Sequence, residues 1–121
     1  MADRMLMISW GAPVRGREER GLEVFNEALG ILGRMQQDGR IEKFEVRLMS
    51  PNGSELDGYI EVHGSAAQIA ELKEDGEFLR NTMDAAQVVE RLAHHEGWIN
   101  DGIARAMEMY QDSIGKVPAA T

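Results

Sequence analysis

Cysteine is absent from the 121-residue sequence, and its absence removes several kinds of chemistry at once. Disulfide bonds, thiolate metal sites and cysteine nucleophiles are all excluded. Long apolar runs are missing too: the run MLMISW at residues 5–10 is far too short to span a bilayer. It also lacks the organisation of a signal peptide, so we expect a cytoplasmic protein.

Basic residues are few, because 13 Lys and Arg stand against 21 Asp and Glu and give a net charge of −8. A nucleic-acid backbone requires a clustered basic face, and anionic membranes attract basic segments in the same way. We therefore expect neither nucleic acid nor membrane as a partner. The hydrophobic fraction of 43% is typical of a globular chain, and the length predicts a single domain over residues 1–121.

The stretch WGAPVRGRE, residues 10–18, has the glycine spacing of a phosphate-binding loop, G-x-x-x-x-G-K-[ST]. Arg17 replaces the lysine of that loop, however, and Glu18 replaces its hydroxyl residue. The main interpretation is therefore a corner where a strand ends and a helix begins. In the alternative, Arg15 and Arg17 hold a small anion at the helix start, where backbone N–H groups are free. Both arginines are therefore candidate ligand-binding residues.

Apolar periodicity predicts the secondary structure. Three glycines inside the first predicted helix, Gly21, Gly30 and Gly33, each weaken it by about 1 kcal/mol, and we expect close packing against the sheet to compensate. The expected elements are a strand at 5–10, a helix at 17–38, strands at 41–49 and 59–64, a helical region starting at a Ser65–Gln68 capping box and interrupted near Asp75, a strand at about 87–94, and a helix capped by Asn100 or Asp101.

This order of elements predicts an α+β fold, the ferredoxin-like βαββαβ arrangement with an added C-terminal helix and both main helices on one face of the sheet. The other face is either solvated or covered by a second sheet. Met5 and Met7 lie on it if Leu6 and Ile8 face the helices, and exposed neighbouring methionines favour the second alternative. Alternation adds Lys43, Glu45, Arg47, Tyr59, Glu61 and His63 to this face.

The layout resembles the dimeric α/β-barrel superfamily in its order of elements, its long first helix, the EFLR stretch of the second helical region and the terminal helix. The WGxPxRGRE opening is similar to that of uncharacterised bacterial proteins of this type. The resemblance implies a homodimer whose two sheets pack face to face. Members include cofactor-independent monooxygenases, haem-degrading enzymes, small isomerases and lyases, so the resemblance implies fold more than chemistry. The Asn-Trp-His set of the haem-degrading members cannot be placed in this sequence.

His63 is the leading candidate for chemistry, because a histidine at a strand end can act as a general acid or base near neutral pH. Glu61 lies two residues away on the same predicted face and would orient it. The alternative is a histidine that is merely hydrogen-bonded at a dimer interface or in water. Tyr59, Arg47 and Trp10 complete the candidate ligand-binding residues, although tryptophan is more often an anchor of a core or interface.

A metal site is not expected, and neither is a cofactor. On one strand His94 and His95 point to opposite faces, so the two cannot bind one ion together. Either could join His63 and Glu61 in a two-histidine, one-carboxylate set only if the fold brings them close. We expect the protein to bind, and to turn over if it is an enzyme, a small organic molecule, either in the cleft between the sheet and the helices or within the barrel. The alternative is a non-enzymatic dimeric scaffold or regulatory module.

Overall fold

The first strand alternates between buried and partly exposed residues, as its position in the centre of a sheet requires. The computed structural model describes residues 1–120. In β1, Arg4–Trp10, the side chains of Leu6 and Ile8 are buried whereas Met5 and Met7 remain partly exposed on the opposite face. This confirms the predicted division of the strand between two faces.

The remaining elements follow the predicted ferredoxin-like order. The sheet is antiparallel throughout, with the strand order β2-β3-β1-β4. Its two outer strands, β2 and β4, are therefore the sheet edges. The elements after β1 are α1 (Glu18–Gln37), β2 (Lys43–Leu48), β3 (Gly58–Gly64), α2 (Ala66–Glu74), α3 (Gly76–Val88), β4 (Ala93–Trp98) and α4 (Asp101–Gly115).

The opening motif forms a structural corner, as its main interpretation predicted. Gly16 has a φ of 88°, a left-handed conformation that favours glycine. Its backbone N–H donates to the Glu18 Oε1 at 2.8 Å, so the carboxylate that replaces the hydroxyl residue occupies this turn itself. The expectation that the glycines of α1 pack against the sheet was wrong: a Cβ at Gly21 would meet Val88 of α3, one at Gly30 only the Arg34 side chain of its own helix, and one at Gly33 nothing within 4 Å.

One residue ends α2 and begins α3. Asp75 has extended backbone angles, φ −66° and ψ 126°, and its side chain accepts from the Phe78 backbone N–H at 2.9 Å. The Arg40 guanidinium contacts its other oxygen at 2.8 Å. The Arg40 hydrogen bond, followed by that of the Phe78 N–H, holds the pKa of Asp75 below its ordinary value. The predicted capping box of Ser65 and Gln68 starts α2.

The fourth strand was predicted too early in the chain. Residues up to Val88 belong to α3, and β4 starts only at Ala93. The apolar stripe of α3 continues to the buried Val88, so the helix continues as far as this residue. The two β-branched residues at 88–89, which favour a strand, therefore end a helix instead. Val89 then forms an isolated bridge with Pro13, and Arg91 turns the chain with a φ of 56°.

The core lies between one face of the sheet and helices α1, α2 and α3. The fully buried side chains of Leu6, Leu32, Ile41, Val62 and Leu72 mark its centre. Burying such side chains stabilises the fold by about 1.5–3 kcal/mol each. No helix in the described part of the chain is long and apolar enough to cross a membrane.

Helix α4 packs little of its apolar stripe against its own chain. Its start is fixed to the segment before β1: Gly102 approaches the Asp3 carbonyl, where a Cβ would lie 2.2 Å from the oxygen, and Arg105 pairs with the Asp3 carboxylate. The Asn100 side chain donates to the Ala2 carbonyl instead of capping the helix. The stripe itself is largely exposed and consists of Ile103, Met107, Tyr110 and Ile114.

Candidate functional site

A cavity of about 390 Å³ lies between the sheet and helices α1 and α3. It sits at the end of β1 where the chain leaves the sheet, next to Trp10 and Gly11. The Trp10 ring meets the edge of Phe25 at a centroid distance of 5.8 Å, which fixes one wall. The other apolar lining side chains come from β1, β3 and both helices and include Ile8, Val24, Leu32, Ile60, Phe78 and Val88.

Few polar side chains line this cavity. Asn81 is only 8% exposed, and its Nδ2 donates to the Val24 carbonyl at 3.1 Å. The Thr82 hydroxyl donates to the Phe78 carbonyl at 3.0 Å. The remaining polar lining residues are Glu18, Asp57 and His94.

His94 lies on the cavity side of edge strand β4. It pairs with Ile8 in the sheet, and its ring lies 5.8 Å from that of Phe78. The His94 side chain remains exposed at the cavity wall, but its partial withdrawal from water lowers its pKa, and the positive charges of His95 and Lys73 lower it further. The imidazole is therefore uncharged at neutral pH.

The predicted catalytic pair forms on the opposite face of the sheet. His63 Nε2 lies 2.9 Å from Glu61 Oε1, and their side chains are 12% and 27% exposed. Across the sheet His63 pairs with Met5 and Lys43, and Glu61 pairs with Met7. The pair thus occupies the centre of this face, which we call the second face.

A row of alternating charges on β2 borders that pair. Lys43 Nζ and Arg47 Nη2 each lie 3.2 Å from a different oxygen of Glu45. The hydrogen bond from Lys43, above all, holds the pKa of Glu45 below its ordinary value. Tyr59 lies beside Arg47 in the register of β2 and β3. Arg47 is therefore already engaged with a carboxylate of its own strand.

The candidate residues divide among three places. His63, Glu61, Tyr59 and Arg47 lie on the second face, whereas Trp10 lines the cavity on the other side of the sheet. At the corner, Arg17 Nη1 donates to the Gln87 carbonyl at 2.7 Å and so joins the start of α1 to the end of α3. Arg15 is exposed. The residues do not form one constellation within a protomer.

The histidines are also separated from one another. His94 and His95 do point to opposite faces, since His94 pairs with Ile8 and His95 with Met7. Within residues 1–120 no group of three or more His, Asp and Glu side chains is arranged to hold a metal ion. The conditional set of His63, Glu61 and a second histidine is therefore not assembled.

A cleft between the sheet and the helices was one of the two predicted ligand locations, but the polar residues that line it were not predicted. His94 was considered only as a metal ligand, and Asn81 and Thr82 were not among the candidate residues. A signal was nevertheless available, because Asn81 recurs with Phe78 and Val88 on the apolar stripe of α3. A polar residue on such a stripe needs a hydrogen-bond partner or a ligand.

No protein-family model matches the sequence, and no curated protein matches it either. Solved structures do match. A dimeric protein of unknown function with a ferredoxin-like fold, from Bacteroides fragilis, is 15% identical, with a TM-score of 0.59 over 79% of this chain and 96% of that one.

Two further structures carry names of enzymes. A protein from Chloroflexus aurantiacus, provisionally assigned as an antibiotic biosynthesis monooxygenase, is 13% identical, with a TM-score of 0.55 over 82% of this chain and 95% of that one. The hydroxynitrile lyase of Passiflora edulis is 9% identical, with a TM-score of 0.59 over 84% and 97% of the two chains. Identities this low show the fold alone. The chain has the ferredoxin-like α+β fold that these proteins share.

Proposed function

We propose that the protein binds a small organic molecule in the cavity between the sheet and helices α1 and α3. The observation that carries this proposal is the cavity itself, about 390 Å³ with a predominantly apolar lining. Ligand pockets commonly measure about 300–1,000 Å³ and combine an apolar lining with a few polar groups. The exposed side chains of Leu22 and Leu48 are among its lining, so the cavity is open to solvent and accessible to a small molecule.

The fold supports the same proposal by analogy. The lyase and the monooxygenase-like protein named above are small-molecule enzymes by their names, and they share this architecture. Whether this chain also turns its ligand over is a separate question, since one fold hosts many functions. Binding is therefore the function that the geometry supports best.

We also propose that the protein is a homodimer of one-domain protomers whose second faces pack together, as in the dimeric α/β barrels that the WGxPxRGRE opening resembles. Met5 and Met7 lie side by side with polar neighbours on that face, and the stripe of α4 leaves Met107 and Tyr110 exposed. The structural neighbour from Bacteroides fragilis is itself dimeric. Burial of these side chains by a second copy would remove apolar surface from water.

A second candidate function belongs to the second face. The 2.9 Å contact between His63 and Glu61 orients an imidazole of low exposure, which is the arrangement of a general base and its positioning carboxylate. In this proposal the pair transfers a proton to or from a molecule held between the two sheets. The non-enzymatic alternative is that the pair only stabilises the dimer.

Native mass spectrometry of the purified protein, followed by denaturation, tests the cavity. We expect a small molecule that is released on denaturation, and we expect its loss from the double variant Ala28→Leu/Ala85→Leu, which narrows the cavity from two facing helices. The control is Ala67→Leu/Ala86→Leu, which adds the same number of carbon atoms at exposed positions outside the cavity. Equal retention by both double variants would remove the cavity as the site.

The same spectra test the second face. Met7→Glu places a third carboxylate beside Glu61, so the dimer should dissociate, whereas Met83→Glu on the exposed side of α3 should leave it intact. His63→Gln then separates the two roles of the pair. A loss of turnover with an unchanged dimer supports proton transfer, and a weakened dimer with unchanged ligand binding supports a structural role.

A further inference from the structure

The charges that line the cavity restrict which molecules it can bind, and this inference rests on the proposed function. Glu18 and Asp57 line the cavity, whereas no lysine or arginine is among the described residues that do so. A carboxylate or phosphate group would enter an apolar space with no cation to pair with, at a large cost in desolvation. Anionic ligands are therefore disfavoured.

The acidic and imidazole groups lie on different sides of the cavity. The Asp57 backbone N–H donates to the Trp10 carbonyl at the end of β1, whereas His94 pairs with Ile8 two residues earlier. Their backbones flank β1 on opposite sides, so they are separated by two strand spacings, about 9–10 Å. A ring-sized molecule between them can meet the imidazole without contacting the Asp57 carboxylate.

The polar side chains of α3 that line the cavity already make hydrogen bonds within the protein. The Asn81 amide donates to the Val24 carbonyl, and the Thr82 hydroxyl donates to the Phe78 carbonyl. The oxygens of Asn81 and Thr82 and the two carboxylates can still accept, whereas the donors in the lining are the second N–H of the Asn81 amide, the Trp10 indole N–H and one imidazole N–H of His94. Acceptor atoms are the more numerous, so a hydroxyl group, which brings a donor and can also accept, suits this cavity.

His94 is the acceptor best placed for that donor. The charged groups around it are Lys73 of α2, which is paired with Glu96 at 3.0 Å, and His95 on its own strand. Phe78 of α3 and Ile8 of β1 contribute no charge. The lowered pKa of His94 keeps a ring nitrogen free to accept at neutral pH, and its position at the wall keeps that nitrogen within reach of a bound molecule.

We infer that the cavity selects an uncharged molecule with an apolar ring and a hydroxyl group, and that the hydroxyl donates its hydrogen bond to the neutral imidazole of His94. The ring packs against Trp10 and Phe25, and the hydroxyl points toward β4. His94 is thus the residue that determines specificity, and carboxylates of the same size are rejected.

Three probes of equal ring size test the inference in a ¹⁹F NMR titration at pH 7.5: fluorobenzene, 4-fluorophenol and 4-fluorobenzoate. Fluorobenzene reports on the cavity alone, because it has no hydroxyl group and no charge. A net hydrogen bond of about 1 kcal/mol predicts that 4-fluorophenol binds about fivefold to tenfold more tightly than fluorobenzene. 4-Fluorobenzoate should bind more weakly than either.

Variants at two adjacent histidines then locate the acceptor. His94→Leu should abolish the preference for 4-fluorophenol over fluorobenzene, measured as the ratio of the two affinities in the same variant, and His94→Gln, which retains an acceptor, should restore part of that ratio. His95→Leu is the matched control, since His95 points away from the cavity. A melting curve of each variant by circular dichroism establishes that it is folded.

Each outcome decides between the two proposals. Binding of fluorobenzene without a preference for the phenol overturns the role of His94 but keeps the cavity as a site. A preference that survives in His94→Leu overturns it as well. If none of the probes binds, the proposed function fails together with the inference. In the wild type the preference for 4-fluorophenol over fluorobenzene should also disappear on acidification. It should do so only at a pH below about 6.5, the ordinary pKa of imidazole.

Discussion

Gly58→Ala is expected to destabilise the protein, because this buried glycine leaves room for an aromatic ring. Gly58 starts β3 and pairs with Trp10 on one side and with Leu48 on the other. A Cβ at Gly58 would lie 2.7 Å from Trp10 Cζ2 and 3.0 Å from the Arg47 carbonyl oxygen. Both distances are shorter than ordinary van der Waals contact.

The size of the destabilisation depends on whether the groups that clash with the new Cβ can move away. The Arg47 carbonyl belongs to the backbone of β2 and cannot rotate away, and the Trp10 ring is held by its edge contact with Phe25. The ring must therefore shift into the cavity or the strands must separate, and overpacking of this kind costs about 1–3 kcal/mol. The stiffer unfolded chain of the alanine variant offsets about 0.4–1 kcal/mol of that. The midpoints of the two ranges give a net loss of about 1.3 kcal/mol.

Urea unfolding followed by circular dichroism measures this loss as a lower midpoint at an unchanged slope. A shifted Trp10 should also reduce the affinity for fluorobenzene, because that ring forms a wall of the cavity. A variant as stable as the wild type, with unchanged binding of the probe, would refute the reasoning that Gly58 makes room for Trp10.

The other predictions concern helix positions. Gly33→Ala, the same substitution where a Cβ meets nothing, should instead stabilise the protein by about 0.5–1 kcal/mol, seen as a higher urea midpoint. Asp75→Ala should cost about 1 kcal/mol by removing the cap of α3. Because folding lowers the pKa of Asp75, its contribution to stability is complete above its ordinary pKa of 3.8. That contribution is lost as the pH falls through the pKa that Asp75 has in the folded protein. The stability difference between wild type and Asp75→Ala should therefore shrink below about pH 4, and a difference that stayed constant there would contradict the assigned cause.

Much of the fold could be predicted from periodicity alone. The two-residue alternation of β3 places Ile60 and Val62 inside and Glu61 and His63 outside, and both faces form as expected. The end of α3 could not be predicted this way, because the β-branched Val88 serves a helix stripe as well as a strand. Contacts between Val89 and the opening loop, far apart in sequence, decide where the helix ends.

The site was less accessible to prediction than the fold. Alternation shows which residues share a face, and it correctly paired His63 with Glu61. It carries no information about where packing leaves a space, since a cavity depends on how the shapes of α1 and α3 fit against the sheet. The alternation of β4 predicts that His94 and His95 face opposite sides of the sheet, but it does not predict that a cavity lies beside His94.

The neighbouring pair His94 and His95 has a consequence for how such a protein can change. One position faces the cavity and the next faces the second face, as alternate residues of every strand in this sheet do. In the proposed function, ligand preference and self-association therefore depend on alternate residues of the same short strands. Under that proposal a single substitution can alter one property and leave the other intact, so descendants of this chain, or designed versions of it, can acquire a new ligand without losing their partner.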